Sequence, residues 1–481
     1  MAEGRPLRDW NKLPPPGWEA GAFLRLPIEF VTNGWYNRKA SAGRKGERGV
    51  NVGTRLAAAV CAAALCAGCA GLPGTERASV EELLRAPRLE GDYGEIQAAL
   101  DGWLGQSAQL RYPLNGELLS PFLMGDFDGD GVQDAAVLYT ATDVPNICLA
   151  VLQKDDAGAW QVQDAVEGLT DTVDTVRFAR LQEGGADQIV VGYTAQQADS
   201  YLAVYAYQDG EIDDILAEPY DQYLVEDITG TGYEDLLVLD TDAQGASQIK
   251  LLTSDREGGF RQAAVMGLSA DRYTGCASLA AGMGAYGGQY LVLDGWTGVS
   301  GANLASVLLR YNEQTQQMEP ARQIGADALY EASLRNVPDL TSRDLDRDGV
   351  VEIPTQPEGA GLINMDQGRR MDFILWMDYT SAQPRKSFGL LDEELGFYLE
   401  LPIEWYGILM LTDGPAEDTV ELRSQDGEQL YLTVRVTGLA DRTSGWTRLG
   451  VVSNRLVQAQ FGPDAALNDP LYRLSRSFYI L

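Results

Sequence analysis

The chain contains no histidine in its 481 residues. Without an imidazole there is no Ser-His-Asp or Cys-His catalytic unit, no histidine-ligated zinc and no haem held by histidine. Chemistry at any site therefore falls to carboxylates, amides, hydroxyls and aromatic rings. Hydrophobic residues make up 45% and aromatic residues 9% of the chain, which predicts a folded protein with a sizeable core.

Basic residues are also scarce, with 37 Lys and Arg against 70 Asp and Glu and a net charge of -33. Residues 1–68 hold ten of the basic and five of the acidic residues, which leaves residues 69–481 with a net charge of -38. A body this acidic repels nucleic acid and anionic lipid headgroups, so we expect no nucleic-acid partner. Either solubility or cation binding accounts for the acidity. At roughly 100–200 residues per domain, the length predicts two to four domains.

An uncharged, alanine-rich run extends from Leu56 to Ala67 and is too short for a membrane-spanning helix, which needs about 20 residues. It follows Arg55 and ends in Cys66-Ala67-Gly68-Cys69, and small residues before a cysteine resemble a bacterial lipoprotein signal. The resemblance implies that 50–68 is a signal peptide and that Cys69 is lipidated. It places the protein outside the cytoplasm, anchored to the bacterial cell membrane through lipid alone. A buried alanine-rich helix is the alternative, although no amphipathic period supports it.

The segments on either side of this run are simple. For residues 1–49 we expect disorder or a mis-assigned start, with translation beginning at Val50. Residues 69–112 are predicted to be a linker with short helices, one of them over Asp92–Leu104. Beyond Cys69 the only cysteines are Cys148 and Cys276. We expect two buried free thiols there, and a disulfide is left open.

Residues 113–395 contain a repeated unit, in which a turn-rich loop is followed by a short apolar strand. Five copies begin at residues 126, 180, 227, 281 and 344. A period of this length fits a four-stranded antiparallel sheet, and one such sheet cannot bury both of its faces alone. The sequence therefore predicts a mainly β protein with a β-propeller over 113–395. A β-sandwich or a solenoid is the alternative.

Two of the five loops carry acids at alternate positions, as calcium loops do. Ca²⁺ takes six to eight oxygen ligands, and carboxylates so close together repel one another unless a cation neutralises them. Calcium is therefore the predicted cofactor of both loops. The expected ligands are the side chains of Asp126, Asp128, Asp130 and Asp134 with the carbonyl of Val132, and the side chains of Asp344, Asp346, Asp348 and Glu352 with the carbonyl of Val350.

The remaining loops are poorer in acids. The loop from Asp227 has threonine at positions 229 and 231, so we expect it to bind calcium weakly or to be empty. An EF-hand is excluded for both acidic loops, because its twelfth position is a glutamate and the residues there are Val137 and Thr355.

The stretch Gly-Asp-Phe-Asp-Gly-Asp-Gly at 125–131, with Asp134 and an apolar strand after it, resembles the FG-GAP/VCBS repeats of integrin α-subunit propellers and of many bacterial surface proteins. The resemblance implies that calcium sits in an outer hairpin loop of a blade and has a structural role. It covers residues 113–395, and two of the five motifs carry it strongly.

The pattern changes at Gly396. The opening Phe-x-Leu-x-Leu-Pro-x-x-Trp of 397–405 resembles small α+β domains of the PsbP/Mog1 type found in bacterial lipoproteins. We therefore expect a small α+β domain over 396–481. For the end of this segment we expect a strand over Asn454–Phe461 and a helix over Asn468–Tyr479, with Pro470 confining any helix to the residues that follow it.

Three functions are consistent with these features. The favoured one is a non-catalytic, lipid-anchored binding protein whose partner is an unidentified extracellular protein or glycan. A structural spacer or envelope-assembly partner is the second. The third is a carbohydrate-active enzyme, which needs two carboxylates about 5–10 Å apart in a cleft. Trp296 and the tyrosines at 201, 205 and 207 are either blade core or a sugar-stacking surface.

Overall fold

The computed structural model describes residues 91–481, apart from residues 143, 196–197, 243–245, 256–257, 299–300, 322–323, 358–361, 365–368, 382–383, 417, 442 and 466–471. The segment 1–49, the predicted signal peptide and Cys69 lie outside the described residues. No helix in the described part of the chain is long and apolar enough to cross a membrane.

The protein is mainly β, as predicted, and its strands form six antiparallel sheets in chain order. The first sheet contains β1 (Gln109–Leu110), β2 (Phe122–Gly125), β3 (Asp134–Thr140), β4 (Cys148–Lys154) and β5 (Trp160–Glu167). The second contains β6 (Thr172–Ala179), β7 (Gln188–Ala195), β8 (Ala198–Gln208) and β9 (Glu211–Pro219). The third contains β10 (Gln222–Glu226), β11 (Asp235–Thr241), β12 (Ser247–Ser254) and β13 (Phe260–Gly267). The fourth contains β14 (Tyr273–Met283), β15 (Gln289–Thr297), β16 (Asn303–Asn312) and β17 (Gln317–Pro320).

The last two sheets differ from this four-stranded pattern. The fifth contains β18 (Ile353–Thr355), β19 (Leu362–Asn364), β20 (Arg369–Met377), β21 (Arg385–Asp392), β22 (Phe397–Leu401) and β28 (Phe478–Ile480). The sixth contains β23 (Leu409–Asp413), β24 (Thr419–Ser424), β25 (Leu430–Gly438), β26 (Thr447–Val452) and β27 (Arg455–Phe461). The position predicted for a domain boundary, 396, falls between β21 and β22, which are paired neighbours in the fifth sheet.

Each sheet packs face to face on the next. The second strand of each early sheet is buried on both faces, which is why it reads as an unbroken apolar run rather than an alternating one. In β7, Val191 faces the first sheet and Val190 faces the third. We call the hydrophobic layer between two successive sheets a seam, and the six sheets form five of them. One residue from each side of every seam, in chain order, gives the pairs Leu138 and Val191, Val190 and Val238, Leu251 and Leu293, Val292 and Ile353, and Leu390 and Val434. Radially repeated four-stranded meanders stacked in this way are the architecture of a β-propeller.

Two α-helices accompany the sheets in the described residues. The predicted helix over Asp92–Leu104 is present as α1, and it buries Ile96 and Leu100 against the face of the first sheet that points away from the second. Trp103 lies on the outer side of α1 and is exposed. A second helix, α2 (Ala326–Ser333), was not predicted, and it inserts Leu329 into the seam between the fourth and fifth sheets.

The helical content of the C-terminal segment is small. In its described residues, two 3-10 turns occur, at Ile403–Trp405 and Leu474–Arg476. The second turn leads into β28, which returns to pair with β22. β28 is therefore a strand of the fifth sheet. The sixth sheet packs on one face of the fifth sheet, and a separate hydrophobic cluster lies on the other face.

Candidate metal centres

Each of the two acidic loops leads directly into a strand of a sheet. Loop I (126–134) joins β2 to β3, and the β-type continuation confirms that it is not an EF-hand. Loop II (344–352) precedes β18 and is closed by the antiparallel bridge between Arg343 and Glu352. The loops 180–188 and 227–235 occupy the same place in the second and third sheets. The fourth unit is shifted from the predicted start, because Ala281 still belongs to β14 and the turn comes after Met283.

A shared set of hydrogen bonds shows that these loops are copies of one structure. In three of them the N–H of the sixth residue, a glycine, donates to the carboxylate of the first residue. The pairs are Gly131 to Asp126 at 2.9 Å, Gly232 to Asp227 at 2.9 Å and Gly349 to Asp344 at 2.8 Å. All three glycines have left-handed φ values, of 83°, 86° and 90°. The turn therefore favours glycine at this position.

A second bond is present in four loops, where the N–H of the second residue donates to the side chain of the ninth. The pairs are Phe127 to Asp134, Leu181 to Gln188, Ile228 to Asp235 and Leu345 to Glu352, at 2.8–2.9 Å. Gln188 replaces the acid in the second sheet and accepts the same bond. The loop shape therefore survives where the acids have been lost.

Loop II brings together all four of its predicted carboxylates. Oxygens of Asp344, Asp346, Asp348 and Glu352 lie within 4.8 Å of one another. Ligands at 2.3–2.6 Å from a single Ca²⁺ are separated by about 5 Å or less, so this donor set fits a calcium ion. The backbone N–H of Val350 donates to Asp348 Oδ1 at 2.9 Å, and the role of its carbonyl as a ligand stays a prediction.

Loop I brings together three carboxylates, those of Asp126, Asp128 and Asp130. Asp134, predicted as the fourth, is not within this group. The Gln153 amide donates to Asp128 Oδ2 at 2.7 Å and to Asp134 Oδ1 at 3.1 Å, so it lies between them. Burial raises the pKa of Asp134, which the hydrogen bonds from Phe127 and Gln153 oppose. The N–H of Val132 donates to Asp130 Oδ1 at 2.6 Å, as the N–H of Val350 does to Asp348 in loop II. The carbonyl of Val132 stays a predicted ligand.

The loop at Asp227 has a different interior. Thr229 Oγ1 donates to Asp235 Oδ2 at 2.9 Å and lies 3.4 Å from Thr231 Oγ1. Hydroxyls thus occupy the centre that carboxylates occupy in loops I and II. That this loop binds calcium weakly or is empty stays a prediction.

The loops also contact neighbouring sheets. Gly129 of loop I faces Gly184, whose carbonyl lies 2.9 Å from where a Cβ on Gly129 would be. Met283, at the end of β14, donates its N–H to the carbonyl of Gly349 in loop II at 2.8 Å. A cation in either loop would therefore stiffen a seam between sheets as well as one turn.

A polar cavity of about 480 Å³ opens beside loop I, between the first and second sheets. Five carboxamides line it, those of Gln153, Gln163, Gln182, Gln188 and Gln208, together with four carboxylates, those of Asp128 and Asp130 in loop I and of Glu183 and Asp209. None of the described residues that line it is a lysine or an arginine. Its chemistry suits a neutral, hydroxyl-rich or cationic ligand rather than an anion.

Sequence reasoning missed two acidic sites, because their members are far apart in the chain. Asp294 forms a fully buried ion pair with Arg335 at 2.8 Å and also accepts hydrogen bonds from Ser278, Ser306 and Ser342. Despite its burial, the Arg335 guanidinium and these hydrogen bonds hold its pKa below the ordinary value. Every partner is internal, so this cluster is structural.

The second missed site is a carboxylate pair in the fifth sheet. Arg370 Nε lies 3.0 Å from Asp372 Oδ2 and 2.9 Å from Glu393 Oε1. Burial, together with a hydrogen bond to Asp372, raises the pKa of Glu393 to about 8. The pair is held by an arginine, and neither of its carboxylates lines the polar cavity beside loop I.

Other predicted features also have definite places. Cys148 and Cys276 are buried free thiols, as expected. Tyr205 and Tyr207 are buried and belong to the core between the first two sheets. Tyr207 also lines the polar cavity beside loop I, where its hydroxyl donates to Gln153 Oε1 at 3.0 Å. Trp296 is 38% exposed, at the end of β15.

No protein-family model matches the chain, and no curated protein matches it. Among solved structures, the Dos1 propeller is 9% identical over 75% of this chain and 85% of that chain, with a TM-score of 0.27. The Pseudomonas aeruginosa periplasmic gluconolactonase PpgL is 13% identical over 74% and 92%, with a TM-score of 0.26. The rhamnogalacturonan lyase YesW is 12% identical over 50% and 58%, with a TM-score of 0.21. The relationships to FG-GAP/VCBS repeats and PsbP/Mog1 domains stay predictions.

Proposed function

We propose that this protein is a non-catalytic, extracytoplasmic binding module, anchored through a lipid on Cys69 and stabilised by calcium in loops I and II. The observation that carries the calcium part is the convergence of four carboxylates in loop II within 4.8 Å. Such a group is strongly self-repelling without a cation, and its all-oxygen donor set suits Ca²⁺. Because the loops contact neighbouring sheets, the ions have a structural role.

The ligand site that the geometry favours is the polar cavity beside loop I. Its carboxamides offer both donors and acceptors, which match sugar hydroxyls, and the acids exclude phosphate and carboxylate ligands. We therefore favour a neutral glycan over a protein as the partner. The partner's identity is open to direct measurement.

Binding to a glycan array in millimolar Ca²⁺ tests this proposal. Gln163→Ala removes a cavity amide that holds no loop carboxylate, whereas Gln222→Ala, in β10 of the third sheet, is the matched control. We expect captured glycans to be lost in the first variant and retained in the second. Retention in both variants would place the ligand elsewhere, and capture of proteins alone would exclude the glycan.

The anchor is tested separately by metabolic labelling of the bacterial protein with a fatty-acid analogue. Wild type should be labelled and should sediment with membranes, whereas Cys69→Ser should be neither. Labelling of Cys69→Ser to the wild-type level would contradict the lipoprotein assignment without affecting the calcium sites.

A carbohydrate-active enzyme is the alternative that one observation favours, the adjacent carboxyls of Asp372 and Glu393 with the raised pKa of Glu393. Arg370 contacts both carboxyls, which suits a structural cluster better than an acid–base pair. Hydrolysis of any captured glycan that is abolished by Glu393→Gln would establish the enzyme. A spacer role is left if neither binding nor hydrolysis is found.

A further inference from the structure

A small cavity of about 60 Å³ lies beside loop II, against the fifth sheet. Polar groups from five parts of the chain line it: Asp346 and Glu352 of loop II, Trp376 of β20, Ser387 of β21, Glu400 of β22 and Tyr479 of β28. It therefore joins the predicted metal site to the strand that ends the chain. Spacing along the chain does not predict this cavity, because its residues come from widely separated segments.

Trp376 supplies an independent reason to expect a ligand here. Its side chain is fully buried, and its indole Nε1 has no hydrogen-bond partner among the described residues. The ring is held in place by an edge contact with Tyr398, with ring centroids 6.0 Å apart. A buried N–H that lacks an acceptor costs free energy, so the site calls for an acceptor in the cavity that Trp376 lines.

The carboxylates around the cavity already accept other donors. Glu400 Oε2 accepts the Tyr479 hydroxyl at 3.2 Å, and Glu352 Oε2 accepts the N–H of Leu345 at 2.8 Å. A water molecule satisfies the remaining requirements. It fits the volume, accepts one bond from the indole, and has two protons to donate to carboxylates.

Loop II also has room for such a ligand. Calcium binds six to eight oxygens and commonly includes water, whereas loop II supplies four carboxylates and one predicted carbonyl. Two of those carboxylates, Asp346 and Glu352, line the cavity. A water in the cavity is therefore adjacent to the predicted ion and to Trp376 at once.

We propose that this cavity holds a water molecule that is a ligand of the loop II cation, with Trp376 and Glu400 as its positioning residues. The inference rests on the proposed binding of a cation to loop II and adds to it a ligand and two residues outside the loop. Among the described residues, loop I has no equivalent small cavity. The Gln153 amide lies against Asp128 on the inner side of loop I, and that side opens to the large polar cavity.

Terbium luminescence tests the proposal on the full chain. Loop I is first disabled with Asp128→Asn and Asp130→Asn, whose remaining side-chain oxygens can still accept the N–H groups of Asp130 and Val132. Lifetimes of bound Tb³⁺ in H₂O and D₂O then count the water ligands at loop II. We expect at least one. A count of zero overturns the proposal and leaves the cation site intact, whereas no Tb³⁺ binding overturns both.

Substitution of the indole gives the second readout. Trp376→Phe should weaken Tb³⁺ binding to loop II about tenfold, the usual effect of losing an outer-shell partner. Trp160→Phe is the matched control, because Trp160 is also buried with an unpartnered Nε1 but belongs to the first sheet. Equal affinities in the two variants would show that Trp376 does not position a ligand. The lifetime count above needs no change at Trp376, so it stands even if Trp376→Phe fails to fold.

Discussion

The backbone N–H of Asp187 donates a hydrogen bond to the backbone carbonyl of Asp126, with the two atoms 2.8 Å apart. The same bond joins Glu234 to Arg180 at 2.9 Å. In each case the eighth residue of one loop binds the first residue of the loop before it. These hydrogen bonds link the loops of the first three sheets to one another, and loop I, with its three carboxylates, is one of the linked loops.

Removal of calcium should therefore destabilise the whole molecule. At a calcium concentration 100 times the Kd, each site adds about 2.7 kcal/mol to the free energy of unfolding. Calorimetry with and without a chelator should show a lower Tm without calcium. Asp344→Asn should reduce the difference, whereas Asp227→Asn should not. A Tm that does not respond to calcium would contradict the structural role of both loops.

Replacing the glycine at position six of a loop should lower the stability of the protein. In Gly349→Ala the new methyl group meets no atom within 4 Å, so the cost is backbone strain at a φ of 90°, about 1–2 kcal/mol. Gly232→Ala has the same open surroundings and a φ of 86° in the threonine-containing loop. Denaturant unfolding should show similar losses for both, while calorimetric titration should show weaker calcium binding only for Gly349→Ala. Calcium affinity unchanged by Gly349→Ala would show that the loop tolerates another turn.

The buried ion pair should be costly to break. Arg335→Met leaves Asp294 charged and fully buried, so the free energy of unfolding should fall by about 3–5 kcal/mol. The double variant that combines Arg335→Met with Asp294→Leu removes both charges and should recover part of that loss. Arg180→Met, at a largely exposed pair with Asp187, should change stability far less. Equal losses from the two single arginine variants would refute the distinction.

Glu393 predicts a specific pH dependence. Its pKa rises from 4.5 to about 8 in the folded protein, mainly because burial disfavours the charged carboxylate. The folded state therefore binds this proton more tightly than the unfolded state, and its stabilising effect, complete below pH 4.5, is lost as the pH rises through about 8. Denaturant melts from pH 5 to 9 should show a decline that Glu393→Gln removes. An unchanged slope in the variant would assign the decline to another group.

The two cysteines should be inert in the folded protein. Burial raises the pKa of Cys148 to about 11 and that of Cys276 to about 12, so little thiolate is present near neutral pH. Alkylation followed by peptide mass spectrometry should modify both sites only in denaturant. Rapid modification of either thiol under native conditions would indicate local opening of its strand.

Several features could be predicted because their information is local. Within each of loops I and II, the acids are contained in nine consecutive residues. Their convergence in each loop therefore follows from one tight turn. The strands after the loops were recognisable because burial on both faces makes them continuously apolar. The fourth unit was misplaced by a few residues, since its short turn between β14 and β15 carries no acid to mark it.

Other features depended on contacts between distant segments. Gln153, on a different strand from loop I, donates hydrogen bonds to both Asp128 and Asp134, a contact that no spacing rule reveals. The return of β28 to β22 joins residues 79–83 positions apart. Periodicity describes the face that a residue presents within its own element, and carries no information on what the fold places opposite it.

By itself, the sequence determined the absence of histidine chemistry, the β-rich repeat and the two acidic turns, because composition and short-range spacing are sufficient for each. The tertiary structure alone decided that the turns lie in seams between sheets, that Arg335 neutralises Asp294, and that Trp376 faces a cavity beside loop II. Those outcomes follow from packing between sheets, where burial and the nearest partner set the energy of every polar group.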